Sequence, residues 1–276
     1  MSIMTLTYFS KALIGCTQVN LYLPVGAEYE DMIEAGEKFQ TLWLLHGHGG
    51  NYSEWARYTC IEKLAMDHKF AVVMPEGGHS FYSDQPNNKN YYTYITSELP
   101  AFLRKHFPLS DKREDNFIAG LSMGGCGAAK IGFANPDKYC AIGILSGGPM
   151  DPTRNMESVD PEKYAYREKY VFGPVSEMAG TPNDVWANFA RLRNCEYPMP
   201  LIYNACGTDD FIYPRYLEFK EYAQSIRMSE HVIFDEQQGG VHSWDFWDEH
   251  ITRFVDYLPL KNRGFWRKWY DNQNWR

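Results

Sequence analysis

The residues best suited to do chemistry lie in the segment Gly120-Leu121-Ser122-Met123-Gly124-Gly125, which fits the pattern G-x-S-x-G. In that pattern the serine sits on a sharp strand-to-helix turn with a strained backbone, and the flanking glycines let strand and helix approach closely. An apolar run at 117–119 precedes the motif, and a segment rich in small residues follows it. This context predicts that Ser122 is a nucleophile.

A general base for this serine is expected on a loop late in the chain. Of the eight histidines, His242 combines a late position, a glycine-rich loop and a following helical pattern. A histidine so placed can reach over the strand ends and take the serine proton. An acidic partner is expected after the apolar run 201–205, where Asp209 and Asp210 are adjacent. The spacing alone leaves both aspartates open.

A second glycine-containing loop, His46-Gly47-His48-Gly49-Gly50, follows the apolar run 41–45. In proteins that have a serine elbow of this type, such a loop supplies one backbone N–H to an oxyanion hole. The residue after the nucleophile supplies another. The predicted donors are therefore the backbone N–H groups of His48 and Met123. No metal site is expected at His46 and His48, because two histidines lack a third ligand nearby.

The composition limits the classes of protein to which this chain can belong. The chain has 276 residues, of which 44% are hydrophobic and 22% charged, as in soluble globular proteins. A net charge of −8 with no basic run gives no electrostatic support for nucleic-acid binding. No apolar run reaches the ~18 residues of a membrane span, and no signal-peptide pattern opens the chain. We therefore expect a cytoplasmic protein that binds no membrane, with six free cysteines.

Strand and helix patterns alternate, which predicts an α/β fold with a mostly parallel central sheet and helices on both faces. Pro100 predicts a kink or a late start in its helix. The predicted strands are 18–23, 41–45, 70–74, 116–119, 139–145, 201–205 and 231–234, and the predicted helices are 60–68, 92–107, 123–134, 213–226 and 244–258.

The domain organisation is expected to be simple, with one domain over residues 1–276. Residues 150–198 are irregular and rich in proline, and we expect them to form a cap insertion beside the active site. The aromatic tail within 262–276 has two open interpretations. It covers an apolar edge of the domain, or it forms a contact between copies of the chain in a homo-oligomer.

Aromatic side chains near the predicted cleft are candidates for substrate contacts. They are Tyr82, Tyr91, Tyr92 and Trp244, and packing explains each of them equally well. The loop 77–94 follows the end of a predicted parallel strand, where ligands bind in open α/β sheets. That argument places the loop near substrate without selecting a residue.

Together these motifs resemble the putative-esterase family of α/β-hydrolases over roughly residues 5–258. That family includes tributyrin esterases, S-formylglutathione hydrolases, and feruloyl and acetylxylan esterases, and the tributyrin-esterase-like branch is the best match. The resemblance rests on LLHGHGG (44–50), PEGGHSFYSD (75–84), GLSMGG (120–125), YNACGTDDF (203–211) and GGVHSWDFW (239–247).

The resemblance implies an α/β-hydrolase fold and a catalytic triad of Ser122, Asp210 and His242. It selects Asp210 over Asp209, because the family's acid is the last aspartate of the pattern CGTxD. It implies backbone oxyanion donors at His48 and Met123, and neither a metal nor an organic cofactor. The implied partner is a small-molecule acyl ester, hydrolysed through an acyl-enzyme intermediate.

Three alternatives stay open beside a short-chain serine esterase. One is a carbohydrate acetyl or feruloyl esterase that acts on imported oligosaccharides. Another is an S-formylglutathione hydrolase, against which the sequence places no obvious basic residue for the carboxylates of glutathione. The last is a non-catalytic binding module, which the intact chain order of Ser122, Asp210 and His242 disfavours.

Overall fold

The computed structural model describes residues 2–25, 33–151 and 161–264. Eight strands form a single sheet in these ranges: β1 Ser2–Ser10, β2 Gly15–Leu23, β3 Thr41–Leu45, β4 Ala71–Pro75, β5 Asn116–Leu121, β6 Ala141–Leu145, β7 Leu201–Gly207 and β8 Val232–Gln237. Their order across the sheet is β1-β2-β4-β3-β5-β6-β7-β8. Strands β4, β3, β5, β6, β7 and β8 are parallel to one another. The mostly parallel sheet is therefore as predicted.

The first two strands form an antiparallel hairpin at one edge of the sheet, and β2 also pairs antiparallel with β4. Strand β1 is not among the strands predicted from the sequence. Along it, more and less exposed residues alternate, as expected of an edge strand with one face toward solvent. The central strands are instead uniformly buried, and all five residues of both β3 and β4 are shielded from solvent.

Helices cover both faces of the sheet, as predicted. They are α1 Glu54–Tyr58, α2 Ile61–His68, α3 Leu99–His106, α4 Met123–Ala134, α5 Pro161–Arg167, α6 Val185–Arg191, α7 Tyr213–Ser225 and α8 Trp244–Tyr257. The core lies in two layers, one on each face, and successive residues of β3 alternate between them. Leu42 and Leu44 pack in the layer beneath α8, whereas Trp43 and Leu45 pack in the layer beneath α4.

The helix that contains Pro100 begins before it and passes through an irregular turn. A short helix, Tyr91–Thr93, leads into a π-helical turn, Tyr94–Glu98, and then directly into α3. Pro100 has no N–H to donate to the carbonyl of Thr96, and its ring crowds that carbonyl. The Thr96 carbonyl accepts from Lys138 Nζ at 3.2 Å instead. The predicted kink therefore takes the form of a π-helical turn.

The predicted insertion at 150–198 consists, where the structure describes it, of α5, α6 and short π- and 3₁₀-helical turns between loops. The aromatic part of the tail, 265–276, lies outside the described residues. Within the described ranges no helix combines the length and apolar character that crossing a membrane requires.

Candidate active site

Ser122 occupies the tight turn between β5 and α4. Its backbone has φ 53° and ψ −118°, a strained conformation for a residue other than glycine, and its N–H donates to the Leu145 carbonyl at 2.8 Å. The turn brings α4 so close to the sheet that a Cβ on Gly124 would lie 2.3 Å from the carbonyl oxygen of Leu45. The glycines of the motif are therefore required by this close approach, and they present Ser122 at the carboxyl edge of the sheet.

Asp210 and His242 meet at the same edge of the sheet. The carboxylate of Asp210 lies 2.9 and 3.0 Å from His242 Nδ1, and its side chain is fully buried. Asp209 points elsewhere, since its carboxylate accepts from the Thr208 hydroxyl at 3.3 Å. Of the two aspartates that the spacing left open, Asp210 is the one that contacts the histidine.

The carboxylate of Asp210 is held ionised by its hydrogen bonds. Burial raises the pKa of this carboxyl, but donors from His242, the Ile212 N–H and Ser146 outweigh burial and leave the pKa below its usual value. The Ile212 N–H donates to Oδ1 at 2.8 Å. Because an ionised carboxylate only accepts, the proton of neutral His242 is on Nδ1, and Nε2 is free to take a proton.

Two aromatic rings fix the plane of the His242 imidazole. Trp247 meets it edge-on, with ring centroids 4.9 Å apart, and Phe211 packs against it at 4.5 Å. Trp247 Nε1 also donates to Ser146 Oγ at 3.1 Å, which ties it to the serine that hydrogen-bonds Asp210. Sequence reasoning missed Ser146 and Trp247, although Trp247 lies within the segment 239–247.

A cavity of about 540 Å³ opens above the serine, and its lining includes Ser122, Met123, His48 and Phe211. Phe211 joins the cavity to the histidine, since the same ring packs on His242. The insertion contributes part of the wall through residues that include Tyr166, Arg167 and Val171. The structured part of 150–198 thus lies beside this cavity.

The loop that carries the first predicted oxyanion donor is fixed by His46. The Gly77 N–H donates to His46 Nε2 at 2.8 Å, so the proton of a neutral imidazole is on Nδ1, which lies 2.8 Å from the Gly47 carbonyl. That carbonyl also accepts from the Gly50 N–H at 3.2 Å. The Gly47–His48 peptide is trans, so its N–H points opposite to the anchored carbonyl. Both ring nitrogens of His46 are occupied, which leaves neither for a metal.

The second predicted donor is the N–H of Met123, the first residue of α4. The first N–H groups of a helix have no carbonyl partner within the helix, and the positive end of the helix dipole lies there. Met123 also lines the cavity with Ser122. Its N–H can therefore stabilise negative charge that develops beside Ser122.

The aromatic residues proposed as substrate contacts are not among the described residues that line this cavity. Tyr82 is fully buried, and its hydroxyl donates to the His46 carbonyl at 2.9 Å, so the expectation that it lines the cleft is wrong. Tyr91, Tyr92 and Trp244 are not among the described residues that line the cavity, and Tyr92 borders a different cavity beside Thr181.

The part of the cavity wall formed by Phe81 is held in place by a buried lysine. Phe81 and Tyr82 both have positive φ, 48° and 53°, and the buried Lys130 of α4 donates to the Phe81 carbonyl at 2.9 Å and to Ser83 Oγ. Burial lowers the pKa of Lys130 to about 7. This buried amine thus holds a strained turn whose aromatic side chain faces the cavity.

Cys126 is the other nucleophilic side chain in the lining. Burial raises the pKa of its thiol, and its Sγ donates to the Gly147 carbonyl at 2.8 Å. A buried protonated thiol is a poor nucleophile. The structure therefore supports a packing role for Cys126 rather than a nucleophilic one.

The chain matches known proteins over most of its length. The family described as "Putative esterase" matches residues 10–258. An acetyl esterase of Caldicellulosiruptor saccharolyticus is 32% identical in an alignment 271 residues long that covers 94% of this chain and 98% of that one. Two solved Staphylococcus aureus structures are similar, each aligned over 93% of this chain and 98% of the other. They are the fluorophosphonate-binding serine hydrolase FphF (TM-score 0.80, 30% identity) and the S-formylglutathione hydrolase FrmB (0.78, 29%). These likenesses confirm the predicted α/β-hydrolase fold.

Proposed function

The chain belongs to the putative esterase family, and we propose that this carboxylic ester hydrolase cleaves short-chain acyl esters through Ser122, His242 and Asp210. The observation that carries the proposal is the contact of 2.9 Å between His242 Nδ1 and Asp210, beside the cavity that Ser122 lines. Such a pair, beside a cavity lined by a half-buried serine in a strand-to-helix turn, has the residue types that nucleophilic acyl transfer requires.

The proposed reaction has two displacements. His242 Nε2 removes the proton of Ser122 as Oγ attacks the ester carbonyl, and the imidazolium then protonates the leaving alcohol. Water, deprotonated by His242, attacks the acyl-enzyme and releases the acid. Asp210 holds the imidazole in the required tautomer and stabilises its positive charge.

The N–H groups of His48 and Met123 are the proposed donors to the oxyanion of both tetrahedral intermediates. Each donor in such a site contributes about 3–4 kcal/mol to transition-state stabilisation. Because the Gly47–His48 peptide is anchored by His46, little reorganisation is needed when charge develops. No metal or organic cofactor enters these steps.

Support for a small acyl group comes from the relative named acetyl esterase and from the cavity. Part of the cavity wall is apolar and includes Phe81, Met150 and Val171, which gives room for an acyl chain. An ester whose alcohol half is a sugar would be one particular substrate within this proposal. A thioester substrate is a second candidate, favoured by the 29% identity to the S-formylglutathione hydrolase FrmB.

The test is a panel of p-nitrophenyl acetate, butyrate and octanoate, acetylated sugars and S-formylglutathione, assayed with purified wild type and Ser122→Ala. Wild type should hydrolyse at least one short p-nitrophenyl ester, and Ser122→Ala should lose at least ~10³-fold in kcat. The matched control is Cys126→Ala, which removes the other nucleophilic side chain of the lining and should retain turnover. Equal rates in wild type and Ser122→Ala would refute the assignment of the nucleophile.

A further inference from the structure

The cavity above Ser122 is bordered by two arginines, although the chain as a whole is acidic. Arg167 and Arg215 border it together with His48 and His79, and none of the described residues in its lining is Asp or Glu. The net charge of the chain is −8. Since a cleft with walls of low polarity focuses the field of its charges, this cavity favours an anionic group over a neutral one of the same size.

Arg215 lines the same cavity as Phe211, whose ring contacts His242. It is in the first turn of α7, and its Cβ packs so closely on Gly148 that a Cβ there would lie 2.7 Å away. Phe211, four residues earlier, lines the same cavity and packs on the His242 ring at 4.5 Å. His242 protonates the leaving group in the proposed reaction. The cavity that Arg215 lines therefore extends to the residue that protonates the leaving group.

The guanidinium of Arg215 can bind an anion, because its ion pair with Glu218 is open to solvent. Its side chain is 26% exposed, and Nη1 lies 2.9 Å from Glu218 Oε2, whose side chain is 51% exposed. An ion pair this open to solvent is weak and can be rearranged when a ligand carboxylate arrives. The planar guanidinium offers further N–H donors that suit the two oxygens of a carboxylate.

Arg167 lies on another wall of the cavity. Its guanidinium is stacked 4.7 Å from the Phe81 ring centroid, and Nη1 lies 3.5 Å from the sulfur of Met150. These contacts fix the Arg167 guanidinium against the aromatic wall of the cavity. Arg215 is therefore the arginine on which the inference rests.

We propose that the enzyme prefers esters whose leaving group carries a carboxylate, and that Arg215 is the residue that recognises it. This inference rests on the proposed function, because the leaving-group side is defined by Ser122 and His242. The probe is a matched pair of substrates, 4-acetoxybenzoate and its neutral methyl ester, methyl 4-acetoxybenzoate. In both, hydrolysis transfers the acetyl group to water and releases a phenol.

The measured quantity is the selectivity, defined as kcat/KM for 4-acetoxybenzoate divided by kcat/KM for the methyl ester. Arg215→Gln should lower the selectivity about tenfold, the effect expected from loss of one charge-assisted hydrogen bond in a partly exposed site. Glu218→Gln should raise it, because the competing carboxylate is removed. The matched control is Lys220→Gln, which deletes a cation of the same helix that pairs with Glu236 and lies outside the cavity lining.

An unchanged selectivity in Arg215→Gln, or an equal fall in Lys220→Gln, would overturn the inference. An equal loss of both substrates in Arg215→Gln would show that Arg215 only supports the fold, and would overturn it as well. The proposed function fails separately, if wild-type hydrolysis of the neutral methyl ester does not depend on Ser122. Ser122-dependent hydrolysis with a selectivity that is independent of Arg215 would therefore refute this inference alone.

Discussion

His46 should govern the rate of catalysis without touching the substrate, and replacing it with alanine tests this. The side chain is 1% exposed and joins the Gly77 N–H to the Gly47 carbonyl. His46→Ala leaves the Gly77 N–H without its buried acceptor, at a cost of about 1–3 kcal/mol, and opens a small cavity. The Gly47–His48 peptide also loses one of its two anchors.

The expected effect is on kcat. Removing an oxyanion donor altogether costs about 10²–10³ in kcat. In His46→Ala the donor remains but is less well fixed, so we expect a loss of about 10- to 100-fold. The KM should change little, since the oxyanion forms only after binding.

A matched control separates this effect from simple destabilisation. His250 is also fully buried with both ring nitrogens engaged, by the Tyr203 hydroxyl at 2.7 Å and by Gln237 at 2.9 Å, but it belongs to α8 and is not among the residues that line the cavity. His250→Ala should lose a similar free energy of unfolding and keep its kcat. Both variants would be assayed with p-nitrophenyl butyrate at a temperature where urea unfolding shows them folded. A kcat for His46→Ala within twofold of that for His250→Ala would refute the reasoning.

Three further outcomes are expected. Asp210→Asn should lower kcat by about 10²- to 10⁴-fold, while Asp209→Asn should stay within about threefold in the same ester assay. Burial lowers the pKa of His250 to about 4. As the pH falls, His250 is therefore protonated in the unfolded chain at a higher pH than in the folded protein. Stability should therefore fall as pH drops from 6.5 towards 4, and urea unfolding of His250→Gln should depend less on pH there. Gly124→Ala should destabilise by about 1–3 kcal/mol, whereas Gly15→Ala, whose Cβ would have ordinary space, should be nearly neutral in thermal unfolding.

Local signals account for the parts of the fold that the sequence predicts well. Strand β3 and helix α4 have the predicted bounds, because a continuous apolar run and a glycine-rich turn depend on neighbouring residues only. The partner of His242 depends on which of two adjacent aspartates points inward. That direction is set by the turn after β7, so spacing alone left Asp209 and Asp210 open.

Long-range packing explains what the sequence did not reveal. Tyr82 has φ 53° and turns inward, where its ring fills the space beside Gly127, whose Cβ would lie 2.3 Å from it. Neither Arg167 nor Arg215 belongs to a motif, and only the folded insertion and α7 bring them to one cavity. The sequence alone therefore could not place these arginines beside Ser122.

The most direct test of the central claim is the covalent labelling of Ser122. Wild-type enzyme would be treated with an alkyl fluorophosphonate, and the intact mass and the tryptic peptides would be measured beside residual esterase activity. We expect one phosphonyl group per chain, located on Ser122, and loss of activity in proportion to labelling, with no adduct in Ser122→Ala. Full activity in the labelled protein, or stoichiometric labelling of another residue with loss of activity, would contradict the assignment of Ser122 as the nucleophile.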